Sequence, residues 1–190
     1  MRKIIVPLIL FFIISVSTNA QIFNTGQTLK KGQISLGFEP AILIETDDFI
    51  LFVHGGIGLK PGIDFGLKAG FLNDGDPYFG GDVEFALGKY FSVMGGAHHF
   101  GNFGLDGCIL GTYPIQSDVR ISSGLDMDIN FSQYDEDGDG DEETNTDFLL
   151  WLPISLEIGL RSNMAFIFEA EVGLTDPAYH LIGGGLSFYF

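Results

Sequence analysis

The densest chemistry in this sequence is a run of carboxylates, Asp135-Glu136-Asp137-Gly138-Asp139-Gly140-Asp141-Glu142-Glu143. Asp135, Asp137 and Asp139 stand at the first, third and fifth places of a loop whose sixth is Gly140, with Asp141 seventh and Glu143 ninth. At that spacing oxygen ligands can close around a calcium ion while the glycine makes the sharp turn. The spacing then fails, because Thr146 stands where a bidentate Glu belongs and Glu142 replaces the usual apolar anchor. The segment is therefore either a weak calcium site, in the range of extracellular modules, or a plain solvated acidic loop. No other cofactor is expected.

A second candidate is His98-His99. Adjacent residues on an extended chain point to opposite faces, so the two imidazoles cannot serve one reaction. No serine stands in an evident His/Ser/acid arrangement, and catalysis is not expected. The third set is spread along the chain at alternate positions of extended segments: Asp64, Lys68, Asp82, Glu84, Asp106, Arg120, Asp126, Asp128, Glu157, Glu169 and Glu171. Nine acids face two bases there, and what they can do depends on the elements that carry them.

Those elements read as strands throughout. Apolar residues recur at every second position from about Gly32 to Ile44, Phe49 to Leu59, Ile63 to Phe71, Tyr78 to Leu87, Tyr90 to His99, Phe103 to Gly111, Val119 to Phe131, Phe148 to Leu160, Met164 to Leu174 and Tyr179 to Phe190. The seventh is the clearest: Val119, Ile121, Leu125, Met127, Ile129 and Phe131 share one face, opposite Arg120, Ser122, Gly124, Asp126, Asp128 and Asn130. The first, second and fifth are loosely phased, and Pro40 suggests a bulge in the first. Ten strands are expected, with eight or twelve as the alternatives. The connections alternate between an acidic end, with a long loop at 132–147, and an end of mostly short turns carrying Lys60, Lys89 and Arg161.

The polar faces decide what covers the apolar ones. Soluble strands present Lys, Thr, Gln and Glu to water, whereas these present Gly, Ala and Ser with scattered carboxylates. Small residues suit the inside of a narrow closed barrel, and the Phe, Leu and Ile of the other face exceed what such an interior can hold. The expectation is an all-β fold, a closed antiparallel transmembrane β-barrel whose apolar face meets lipid. A secreted soluble β protein is the alternative. Tyr78, Phe79, Tyr90, Phe91, Phe148, Trp151, Tyr179 and Phe188 lie near strand ends and read as interfacial girdles.

The beginning of the chain fits export. Arg2 and Lys3 precede an apolar run, Ile4 to Val16, and Ser17-Thr18-Asn19-Ala20 offers a cleavage point, so residues 1–20 read as a cleaved signal peptide and 21–190 as one barrel domain. The chain has 9 Lys plus Arg and 25 acids. Removing Arg2 and Lys3 leaves 7 − 25, a net charge of about −18, which argues against nucleic acid as a partner. The single Cys108 can form no intrachain disulfide.

The final stretch, Gly184-Gly185-Leu186-Ser187-Phe188-Tyr189-Phe190, resembles the C-terminal assembly signal of Gram-negative outer-membrane β-barrels, with Phe190 as terminal aromatic and Leu186 and Phe188 in phase. The resemblance extends over the mature chain and implies an outer-membrane location, the lipid bilayer and the barrel-assembly machinery as partners, and an acidic end that faces outside. Lipid-modifying and proteolytic barrels exist in this class, but it fixes no single function. The main expectation is a structural or surface-interaction barrel. A narrow cation-preferring, porin-like channel is the runner-up, because the lumen charges could instead form a hydrogen-bonded polar plug.

Overall fold

In the computed structural model, which describes residues 27–73, 75–134 and 143–190, the chain closes on itself as an antiparallel barrel. Ten strands follow in sequence order: β1 (Ile34–Leu43), β2 (Asp48–Lys60), β3 (Ile63–Leu72), β4 (Tyr78–Ala86), β5 (Phe91–Phe100), β6 (Asn102–Pro114), β7 (Val119–Tyr134), β8 (Glu143–Arg161), β9 (Met164–Gly173) and β10 (Leu181–Tyr189). Each pairs with its sequence neighbours, and β1 pairs with β10 to close the ring. The seam ends in a reciprocal pair of bonds: Ile34 N donates to the Phe190 carbonyl at 3.1 Å and Phe190 N to that of Ile34 at 2.8 Å. The expected ten strands are all present, and no strand keeps a free edge.

Two expectations need correction. Pro40 makes no bulge: the β1–β2 register runs unbroken through Glu39↔Phe52, Pro40↔Leu51 and Ala41↔Ile50. Toward β10 the register is the same at Phe38↔Leu186 and Ala41↔Gly183. Pro40 lacks an N–H but needs no extra residue, so β1 keeps its phase while one rung of the ladder is lost. The register shifts fall elsewhere, at Gly58/Lys60 and Gly159/Arg161, where β2 and β8 enter tight turns. The expected acidic loop of 132–147 is also shorter, because Ser132↔Asn145, Gln133↔Thr144 and Tyr134↔Glu143 continue the β7–β8 ladder. Asn145, Thr144 and Thr146 carry no apolar alternation, so the sequence pattern cannot show that the ladder extends this hairpin.

The faces sort as alternation requires. Large apolar side chains are exposed all around the outside, among them Leu67 at 57%, Phe79 at 51%, Leu125 at 46% and Phe168 at 44%. Inside lie Ser35, Ser92, Thr112, Ser122, Ser155 and Ser187, each at most 2% exposed. A soluble fold inverts this arrangement. Water does not tolerate a continuous apolar surface of this extent on a monomer, so the outer face is built for lipid. Among the described residues two small apolar clusters are buried: Leu29 with Ala165 and Tyr189, and Ala41 with Ile50, Phe52 and Leu181.

The acidic lumen as candidate functional site

Glycines make room for the interior charges. A side chain at Gly66 would meet the Asp82 carboxylate at 2.8 Å, and one at Gly183 would meet Glu39 Oε1 at 2.7 Å. One at Gly96 would lie 2.9 Å from Asp82 Cβ, and one at Gly104 would collide with His98 and Asn130. Each of these glycines pairs directly across the sheet with, or stands beside, the strand bearing the charge, as in Gly66↔Asp82, Gly96↔Asp106 and Gly104↔Asn130. The pattern of small residue opposite acid is thus a packing requirement: in a narrow barrel, inward carboxylates fit only where the neighbouring strand has no side chain.

The space left between them is a cavity of about 320 Å³. Nine carboxylates line it: Glu39, Asp64, Asp82, Glu84, Asp106, Asp126, Asp128, Glu169 and Glu171. Lys68 is the lining lysine, and its ammonium sits 4.0 Å from the centroid of the Phe52 ring and 5.9 Å from that of Tyr78. His54 bonds Glu39 Oε2 at 2.9 Å. His98 reaches Asp106 Oδ1 at 3.1 Å through Nδ1 and Asn130 Oδ1 at 2.9 Å through Nε2, and stacks on Tyr78 with centroids 5.4 Å apart. Both ring nitrogens of His98 are therefore engaged, and its ring is held flat against an aromatic wall.

One end of the cavity is shut by the segment that enters β1. Leu29 is 1% exposed, packs with Ala165 and Tyr189, and its N–H donates to Asp64 Oδ2 at 2.6 Å. Gly32 and Gln33 tie the same segment to Gly58 through backbone bonds of 2.7 and 2.9 Å. Below it, Arg120 Nη1 donates to both oxygens of Glu157 at 3.0 and 3.2 Å, and Thr112 bonds Ser122 at 2.6 Å. The opposite end, toward the longer connections, is roofed by Trp151 and Tyr179. The Trp151 indole N–H donates to the Tyr179 carbonyl at 2.8 Å, and Tyr179 itself is 47% exposed.

All eleven expected lumen residues either line this cavity or, as Arg120 and Glu157 do, pair within the barrel beside it, and Asp64, Glu84, Glu157 and Glu169 are among the most buried of them. The sequence reading left Glu39, His54 and His98 out of the lumen set and passed over Leu29. The first three stand in phase with inward residues, so the signal was present; Leu29 lies before the first strand, where periodicity is silent. Tyr78 and Trp151 correct the girdle expectation. Both occupy inward positions, in phase with Gly80 and Asp82 and with Ser155 and Glu157, and both line the cavity. Phe79, Phe91 and Phe148 do face outward. His98 is buried and His99 exposed, so the two histidines diverge as expected. Of the acidic run, Asp135, Asp137, Asp139 and Asp141 lie outside the described residues, and Glu143 enters β8 opposite Tyr134. Among the described residues, no group of three or more His, Cys, Asp or Glu is arranged to hold a metal ion.

Against known proteins, no family model and no curated protein matches the chain. Solved structures do. It is similar to the NanC porin, with 11% identity over 80% of this chain and 98% of that one and a TM-score of 0.53. It is also similar to the KdgM porin in complex with disordered oligogalacturonate, with 9% identity over 82% and 99% and a TM-score of 0.50. The fold is that of an outer-membrane β-barrel. At these identities the likeness concerns backbone architecture, and the lumen of each barrel has to be read from its own side chains.

Proposed function

We propose that this chain is an outer-membrane barrel of structural or surface-interaction type whose lumen is closed to through-passage. It is exported behind a cleaved signal peptide at residues 1–20, and its acidic connections, including the Asp135–Glu143 segment, face outward. Leu186, Phe188 and Phe190 are the residues by which the assembly machinery recognises β10. The observation that carries the closed-lumen reading is Leu29, inserted beneath the cavity and anchored to Asp64. The Arg120–Glu157 pair and the Thr112–Ser122 bond fill the barrel below it. Outer-membrane barrels place short turns on the periplasmic side and longer loops outside, which supports the orientation.

A second reading, a narrow cation-preferring channel, is favoured by the nine carboxylates around one lysine. Planar-bilayer recording separates the two. The closed barrel passes no steady current, and Leu29→Gly alone opens no leak while the Arg120–Glu157 pair fills the barrel below it. If the unmodified protein instead gives steady cation-selective openings that vanish in Asp126→Asn/Asp128→Asn, the channel reading replaces the closed one.

A further inference from the structure

The lumen cavity has the composition of a receptor for an organic cation. Its carboxylates are dispersed around the wall and do not converge as oxygen ligands around a metal ion must, at about 2.0–2.6 Å from one point. Aromatic surfaces stand among them: Phe52, Tyr78, Phe100, Trp151 and Tyr179 all line the same space. Carboxylates that supply charge and ring faces that supply quadrupole attraction together recognise alkylammonium groups. The chain already uses half of this chemistry internally. The Lys68 ammonium lies 4.0 Å over Phe52, on the side of the cavity where Glu39, Glu169 and Glu171 act on it.

The other side carries no lysine or arginine of its own among the lining residues, and the charge of Lys68 reaches its Asp82, Asp126 and Asp128 from across the cavity. There Asp82, Asp106, Asp126 and Asp128 come from β4, β6 and β7, with Asp106 directly opposite Asp128 across the sheet. His98 engages Asp106 and lies 3.9 Å from Asp128. Asp126 accepts only from the N–H of Met127 next to it, at 3.0 Å, among the described residues. Lower on the same wall, Glu84 is 4% exposed and lines the cavity, with Ser92 as its neighbouring hydroxyl and its Oε1 without a hydrogen-bond partner among the described residues. A buried carboxylate oxygen left without a donor marks a place where a donor belongs.

We propose that this cavity binds a small alkylammonium of mono- or diamine size, entering at the end bordered by Trp151 and Tyr179, its ammonium held by Asp126 and Asp128 and its methylenes against Tyr78. A volume of about 320 Å³ is at the lower end of ligand pockets, which suits a short linear amine and excludes an oligosaccharide. Leu29 closes the far end, so the cation binds and leaves by the same mouth. The inference rests on the barrel fold and not on the absence of conductance.

The test uses Trp151, the only tryptophan of the chain, as a reporter in the detergent-folded barrel titrated with putrescine. The expected result is a saturable change in Trp151 emission with one-to-one stoichiometry by calorimetry, weakened about tenfold or more in Asp126→Asn/Asp128→Asn, since each lost charge-assisted bond is worth at least that factor. Asp176→Asn, at an exposed position in the connection beside the mouth, leaves binding unchanged. If the double variant does not fold, Asp128→Asn alone takes its place. No saturation in the folded unmodified barrel, binding that survives neutralisation of the cluster, or an equal response to magnesium chloride at matched ionic strength overturns the proposal. Because no current is measured, failure here leaves the closed-lumen reading standing, and a conducting barrel that still binds putrescine would overturn only that reading.

Discussion

If lipid covers the outer face, the cost of a charge on β10 must depend on depth, and the register makes that dependence calculable. Leu186 and Ile182 are both outward, at 37% and 44% exposure, and both stand between apolar neighbours: Phe38 and Phe166 for Leu186, Ile42 and Ala170 for Ile182. A strand rises about 3.4 Å per residue, and a tilt near 40° reduces that to roughly 2.6 Å along the barrel axis. With Phe190 at the periplasmic edge of an apolar band about 25 Å tall, Leu186 lies roughly 10 Å up, close to the midplane, and Ile182 roughly 21 Å up, near the outer interface. Leu186→Arg should therefore destabilise the inserted barrel by about 2–4 kcal/mol, and Ile182→Arg by only about 0–1 kcal/mol. Ser187→Ala, on the inward face of the same strand, should be mild, because Ser187 is 0% exposed and loses only a hydroxyl. Reversible urea unfolding from phospholipid vesicles measures all three, with heat-modifiable migration as the check of insertion. Equal costs for Leu186→Arg and Ile182→Arg would refute the lipid-facing assignment, because a protein partner or water would impose no such gradient. Wild-type stability for Leu186→Arg would refute it outright.

Three further outcomes follow from the same structure. Deleting Phe190 removes a terminal aromatic and its N–H bond to the Ile34 carbonyl, and should halt assembly, so that unfolded protein accumulates in the periplasm and little heat-modifiable barrel reaches the membrane fraction. Arg120→Met strands a carboxylate, Glu157, that is 7% exposed, and should cost about 3 kcal/mol in urea unfolding, whereas Arg120→Met/Glu157→Gln should recover most of it. For the acidic segment, millimolar calcium should protect the 135–143 region from protease, and Asp137→Asn/Asp139→Asn should abolish the protection; cleavage that ignores calcium would identify the segment as solvated acidic surface.

Much of the barrel was legible in the chain because strand facing is a local property. Two residues suffice to alternate, so Ile121, Leu125 and Met127 had to leave on one side and Arg120, Asp126 and Asp128 on the other, whatever the rest of the fold did. The same periodicity already put Glu39, His54, Tyr78 and Trp151 inward; reading the last two as interfacial girdles overrode a correct phase with a compositional habit. The small inward residues pointed to closure and to lipid.

What alternation could not determine is which inward residues meet, because that depends on the stagger between strands around a closed ring. Glu39 reaches His54 fifteen residues on, and Arg120 reaches Glu157 on the neighbouring strand, through register that no single strand carries. The insertion of Leu29 is likewise tertiary: an isolated leucine in a polar lead has no pattern, and it is buried only because the ring leaves an apolar gap beside Ala165 and Tyr189. The β7–β8 ladder extends past Ser132, which side-chain pattern does not encode. The sequence by itself determined the strands and their faces, since those follow from residue-by-residue geometry. Only the closed structure decided the cavity and its stopper, since those follow from where ten strands are held relative to one another.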